Sequence, residues 1–177
     1  RPTDENQPIV PVSPYAISKH TVEEYLRYYN QTFGLPYVIF RYASVYGPRQ
    51  VRGAMADYIR QLKLGKQADI WGDGKKTRDY VFVEDVVGAN LLALEVPNDF
   101  ENPVFNVGTT KETSLNDIYK KIANSFGIKD KPIYHPIRPG EQEFQSLSFS
   151  KIKRHLGWSS KVSLSEGLKR TITNFSD

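Results

Sequence analysis

Tyr15 and Lys19 lie four residues apart in Ser13-Pro14-Tyr15-Ala16-Ile17-Ser18-Lys19, and they carry the clearest chemical potential in the chain. Ser13 is a good helix N-cap, and Pro14 suits the first helical position, where its missing N–H would have no partner. On a helix, positions i and i+4 share a face, so phenol and ammonium stand side by side. The positive neighbour favours the phenolate and lowers a pKa that starts near ~10. A Tyr so placed becomes usable as a general base near neutral pH. The competing reading is plain surface packing, the Lys stem lying over the ring, because Tyr-x-x-x-Lys is short enough to arise by chance.

The elements that must position this pair follow from periodicity. Apolar or aromatic residues recur at Ile17, Val22, Tyr25, Leu26, Tyr29 and Phe33, and Gly34 supplies a helix stop. The run from Pro36 to Tyr42 has the length and composition of a buried parallel strand, and it leads into a polar loop, 43–50, containing Gly47-Pro48-Arg49. Loops of this kind, after buried strands, are where open parallel sheets bind ligands. A helix with Met55, Tyr58, Ile59 and Leu62 on one stripe ends near Gly65. Ala68 to Trp71 leads into the tight turn Gly72-Asp73-Gly74, and Arg78 to Val83 reads as a strand. Glu84 and Asp85 open a helix to about Glu95, where two acids complement its dipole. A buried strand is expected at Val104–Gly108. Capping-box patterns at Ser114–Asp117 and Ser163–Glu166 precede two amphipathic helices, with a strand expected at 132–135 and a short helix at 150–156 between them. Gly74-Lys75-Lys76-Thr77 lacks the earlier glycine of a phosphate-binding P-loop and is rejected as one.

Bulk properties narrow the function classes. The 177 residues suffice for a real core, and 39% hydrophobic with 25% charged residues is ordinary for a globular protein. No apolar run approaches a membrane span of ~20 residues. There is no cysteine, and His20, His135 and His155 have no ligand spacing, so no metal site is expected. A net charge of +4, with both signs interspersed, calls for neither a nucleic acid nor a membrane partner, and a cytoplasmic setting is expected.

Five blocks in order then carry a resemblance. SPYAISK (13–19), FRYASVYGPRQ (40–50), IWGDGKKTRDYVFVEDV (70–86), FNVG (105–108), and RPGE (138–141) with SKIKRHLGW (150–158) are similar to the C-terminal part of the extended short-chain dehydrogenase/reductases. The branch is that of the NAD-dependent nucleotide-sugar epimerases and dehydratases, and the blocks look most like the UDP-glucose 4-epimerases. The resemblance implies an α/β fold: the C-terminal part of a Rossmann-like doubly wound parallel sheet plus a small α/β substrate-binding domain. Residues 1–50 would belong to the NAD-binding domain. Residues 51–177 would be mainly the nucleotide-sugar-binding domain, with the strand at 104–108 returning to the Rossmann sheet.

It also implies roles. Tyr15 would be the base that deprotonates the 4-hydroxyl of a UDP-hexose, and Lys19 would hydrogen-bond the nicotinamide ribose of NAD. Tyr42 would contact the cofactor. Arg78 and Arg138 would clamp the UDP pyrophosphate, whose oxygens match the guanidinium fork. Glu141 would accept hydrogen bonds from the uridine ribose, and Asp69, Ile70 and Trp71 would line the uracil, partly through backbone groups. Ser44 stands where family members usually carry Asn on the substrate side. Interconversion of UDP-glucose and UDP-galactose is the implied reaction. A 4,6-dehydratase, a UDP-glucuronate decarboxylase, or a non-catalytic nucleotide-sugar-binding module are the alternatives. A homodimer through a bundle including the Tyr15 helix is implied as well.

The family pattern is departed from at Ser44 and at Ser148-Phe149, which replace an Asn and an Asp-containing segment. No GxGxxG or GxxGxxG occurs, and the Ser/Thr partner of the catalytic Tyr would lie before Arg1. The expectation is therefore a fragment that is inactive alone, with the function belonging to the parent enzyme.

Overall fold

The computed structural model describes residues 2–95, 100, 103–137 and 143–175. In chain order the elements are α1 (Pro14–Phe33), β1 (Ile39–Tyr42), β2 (Ser44–Tyr46), α2 (Ala54–Lys63), β3 (Asp69–Trp71), β4 (Thr77–Arg78), β5 (Tyr80–Phe82) and α3 (Val83–Glu95). They continue with β6 (Val104–Val107), β7 (Thr113–Ser114), α4 (Leu115–Ser125), β8 (Ile133–His135), α5 (Ser150–Leu156) and α6 (Leu164–Thr173).

The start of α1 follows its sequence. Ser13 Oγ accepts from Ala16 N at 3.1 Å, and Gly34, at φ 66°, donates its N–H to Asn30 O. Its apolar stripe behaves otherwise: Ile17, Val22, Tyr25, Tyr29 and Phe33 stay exposed, and the buried residue of the helix is Glu23. What ties α1 to the sheet is charge. Arg41 on β1 donates from Nε and Nη2 to the two carboxylate oxygens of Glu23, at 2.8 and 2.6 Å. Burial works against ionising Glu23, but Arg41's hydrogen bonds and charge outweigh it and hold the carboxyl below its usual range.

Strand pairing is parallel in three of the four two-stranded ladders, β1 with β6, β2 with β5 and β3 with β8, and antiparallel for β4 with β7. The segment expected as a loop from 43 to 50 is in part a strand. Ala43 N donates to Val107 O and Ser44 N to Asp79 O, so the chain leaves β6 at Ala43 and continues along β5 as β2. All four residues of β6 are buried, as its unbroken apolar run requires.

Two hydrophobic clusters result. One gathers Tyr46, Met55, Tyr58, Ile59 and Leu62 with Ile118, Ile122, Leu168 and Phe175, joining α2, α4 and α6. The other joins β5, β6, α3 and α5 through Val81, Phe105, Val107, Ala89, Ile152 and Trp158. Each fully buried large side chain contributes about 1.5–3 kcal/mol. Both capping boxes are only half formed. Ser114 and Ser163 accept from the N–H groups of Asp117 and Glu166, but Asp117 takes the Ser114 hydroxyl proton and Glu166 turns to Arg170. Asp85 does more than complement a dipole. Its carboxylate accepts from Lys161 N and Val162 N, and its carbonyl accepts from the buried Trp158 indole, pinning the 158–162 turn to the start of α3.

Candidate functional site

The first part of the site is the outer face of α1. Tyr15 is 71% exposed and Lys19 is exposed beside it, with Nζ 5.6 Å from the ring centroid. That places a cation over the ring of a phenol whose helix start is fixed by its cap. Tyr42, at the C-terminal end of β1, stacks on Phe40 and donates its hydroxyl proton to Asn90 Oδ1 at 3.1 Å.

The second part is a cleft of ≈ 1170 Å³ between α2, β3 and β4. Ser44, Asp69, Trp71 and Arg78, drawn from three separated stretches, all line it. Ile70 does not. Successive strand residues point to opposite faces, so Asp69 and Trp71 face the cleft while Ile70, 0% exposed, sits in the core and offers only its backbone, already paired with β8. Arg138 and Glu141 lie outside the described residues.

Arg78 is half-buried and donates from Nη1 to Thr77 O at 2.7 Å. Two nearby acids that could have neutralised it are engaged elsewhere. Asp79, 0% exposed, accepts from Thr109 N, Thr109 Oγ1, Thr110 N and Leu147 N, while Glu84 pairs with Arg170 at 3.0 Å. Among the described residues no carboxylate pairs with Arg78, which lines the cleft. Asp69 is the opposite case. The His135 hydrogen bond, 2.7 Å from Nε2 to Oδ1, is the main reason its carboxyl is held below the usual range, and Gln61 Nε2 adds a second at 2.6 Å.

Sequence reasoning missed Gln61, His135 and the buried roles of Asp79 and Asp85. His135 could have been paired with Trp71 only by knowing the β3–β8 register, and the carboxylate of Asp79 meets partners 30 to 68 residues away.

The chain is similar to known proteins in sequence and in fold. The model of the NAD dependent epimerase/dehydratase family matches residues 1–108. The chain belongs to this family. A putative UDP-glucose 4-epimerase of Methanocaldococcus jannaschii is 41% identical over 175 residues, covering 97% of this chain and 56% of that protein. The UDP-glucose 4-epimerase of Thermotoga maritima, solved with UDP-glucose, superposes with a TM-score of 0.92 at 42% identity, over 98% of this chain and 56% of that one. A UDP-glucuronic acid 4-epimerase of Bacillus cereus, solved with a fluorinated UDP-glucuronic acid and NAD, superposes at 0.93 with 31% identity, again over 98% and 56%. The chain thus spans about half the length of the relatives it matches. Its fold is the expected one, part of a Rossmann-like α/β sheet with a smaller α/β region beside it.

The side chains of this family member also fit one end of the family's cofactor. An exposed phenol and an exposed ammonium, side by side at a capped helix start, offer hydrogen-bonding groups of the kind a ribose takes.

Proposed function

We propose that this chain carries the catalytic pair and the nucleotide-sugar cleft of a cytoplasmic enzyme that epimerises carbon 4 of a UDP-hexose, interconverting UDP-glucose and UDP-galactose. The observation that carries the reading is the convergence of Ser44, Asp69, Trp71 and Arg78, which pairs with no carboxylate among the described residues, on one cleft. The relatives named UDP-glucose 4-epimerase support the choice of reaction.

The chemistry assigns itself by group. Bound NAD supplies hydride acceptance from carbon 4 and hydride return to it. Tyr15 takes the proton of the 4-hydroxyl as the carbonyl forms, and gives it back when the hydroxyl is restored. Lys19, its Nζ 5.6 Å from the Tyr15 ring centroid, holds the nicotinamide ribose. Tyr42 stands on the cofactor side. Arg78, with Arg138, clamps the pyrophosphate, which keeps the nucleotide anchored while the keto sugar turns over. Glu141 receives the ribose hydroxyls, Ser44 faces the sugar, and Trp71, with Asp69 beside it, bounds the base. In this reading residues 1–50 with the strand at 104–108 form the cofactor side and the rest of 51–177 forms the nucleotide-sugar side. The exposed aromatic flank of α1, Tyr25, Tyr28 and Tyr29, supports assembly as a homodimer.

The test is turnover of UDP-galactose by the full-length parent protein supplied with NAD. UDP-glucose should form with no net release of NADH, and Tyr15→Phe should lower the rate by about 10²–10⁴-fold. Near-normal turnover in Tyr15→Phe would refute the assigned base. The family also contains dehydratases, so a 4-keto-6-deoxy product from UDP-glucose, or carbon dioxide from UDP-glucuronate, would replace the epimerase reading.

A further inference from the structure

At the rim of the cleft, Trp71 is backed by a side chain to which no role has been assigned. In the parallel β3–β8 pair, Trp71 lies opposite His135, so the two side chains share a face. Their rings stack, with centroids 4.7 Å apart and planes inclined by 26°. Asp69, two residues before Trp71, is on that same face, and its Oδ1 lies 2.7 Å from His135 Nε2. An ionised carboxylate only accepts, so Nε2 carries the hydrogen. The other carboxylate oxygen, Oδ2, accepts from Gln61 Nε2 at 2.6 Å, and Gln61 Oε1 accepts from Asp69 N at 3.2 Å. Both oxygens of Asp69 and both ends of the Gln61 amide are thereby committed.

The result is a relay from α2 to the indole. Gln61 orients Asp69, Asp69 orients the imidazole, and the imidazole covers one face of Trp71. Trp71 lines the cleft and His135 does not, so the indole stands between the imidazole and the ligand space.

We propose that His135 is a positioning residue that, held by Asp69, fixes the Trp71 indole as a platform for stacking the base of a nucleoside diphosphate. The proposal rests on the nucleotide-sugar reading of the cleft. It changes the part given to Asp69, which acts through His135 and does not touch the base. An indole fixed in one orientation loses no rotamer freedom when a base stacks on it, and every base offers a π-face to such a platform. A ligand without a base gains nothing from the relay.

The experiment titrates the full chain with UDP and, separately, with inorganic pyrophosphate, for the wild type, His135→Ala and His135→Phe. Acrylamide quenching of tryptophan fluorescence is measured on the same samples without ligand. It reports Trp71, because the second tryptophan, Trp158, is 3% exposed. His135→Ala should weaken UDP by about 2- to 10-fold, the worth of one aromatic pair, and leave pyrophosphate unchanged. Quenching should rise in His135→Ala. His135→Phe, which keeps a ring against the indole, should restore both UDP affinity and protection. Unchanged UDP affinity and unchanged quenching in His135→Ala would overturn the proposal, and so would an equal loss for UDP and pyrophosphate. A wild type that bound UDP no better than pyrophosphate would remove the nucleotide reading itself. The quenching series would then still decide whether His135 holds Trp71.

Discussion

Helices α1 and α4 are both amphipathic by sequence, and the molecule treats them in opposite ways. In α4, Ile118, Tyr119, Ile122 and Ala123 are buried against α2 and α6, and the cleft is built on that packing. In α1 the buried residue is Glu23, at 9% exposure, while Ile17, Val22, Tyr25, Tyr29 and Phe33 remain outside. Hydrophobic periodicity says which face of a helix is apolar, while coverage depends on what the chain brings up against it. The two halves of the candidate site therefore rest on different physics. The cleft residues are placed by a core, and Tyr15 and Lys19 are placed by a cap and an ion pair.

The contrast can be broken from either side. Asp79 is the strongest point on the cleft side, because three backbone N–H groups and one hydroxyl depend on its carboxylate. Asp79→Ala leaves those donors unpaired and should cost about 3–6 kcal/mol in a denaturant titration. Gly108→Ala should strain the same knot, since a Cβ there would come 2.6 Å from Asp79 Oδ2.

Next in size is a matched pair of helix substitutions. Ile122→Ala should cost about 2–5 kcal/mol, whereas Val22→Ala on α1 should stay within about 0.5 kcal/mol. Equal losses at the two sites would mean that α1 is packed as tightly as α4. Tyr15→Phe belongs with Val22→Ala in this respect, leaving thermal stability unchanged while turnover collapses.

The smallest effect concerns the ion pair. Glu23 and Arg41 are partly buried, with side-chain exposures of 12% and 23%, so Arg41→Met should cost about 1–3 kcal/mol, less than at a fully buried pair. The sign with pH follows from the lowered carboxyl of Glu23. Its contribution is fully present above the usual carboxylate pKa and is lost as pH falls through the depressed value in the folded state. Melting curves should therefore show the gap between wild type and Arg41→Met closing below about pH 4. On the alkaline side, burial pushes the Tyr80 phenol up to about 12. The cleft region should lose stability as pH rises from about 10 toward that value, because the unfolded chain ionises first.

Much of the fold was legible in the residues. The stripe Met55, Tyr58, Ile59, Leu62 is the buried face of α2, and Gly34 and Gly157 close their helices in the left-handed conformation. The run at 104–107 is a fully buried strand. These are local matters, settled by period and by glycine's freedom at positive φ. The errors came where partners are distant. The strand at 44–46 exists because the chain changes from one neighbour to another at Ala43, and nothing in Ser44-Val45-Tyr46 announces that exchange. Asp117 and Glu166 are local exceptions, the one taking the Ser114 hydroxyl and the other Arg170 in place of the backbone N–H that their spacing offered.

For the candidate site the division is similar. The sequence by itself determined the Tyr15–Lys19 adjacency, because four residues on a capped helix admit one arrangement. It also determined the residue types available to line a cleft. Only the tertiary structure decided that Ser44, Asp69, Trp71 and Arg78 meet at one cleft, that Ile70 turns away into the core, and that His135 lies against Trp71. Those outcomes depend on strand register and on which acids are already taken, and both are set by contacts between segments tens of residues apart. The cap that places Tyr15 is written within three residues, whereas the acid next to Arg78 in the chain, Asp79, is buried and taken up by Thr109 and Leu147.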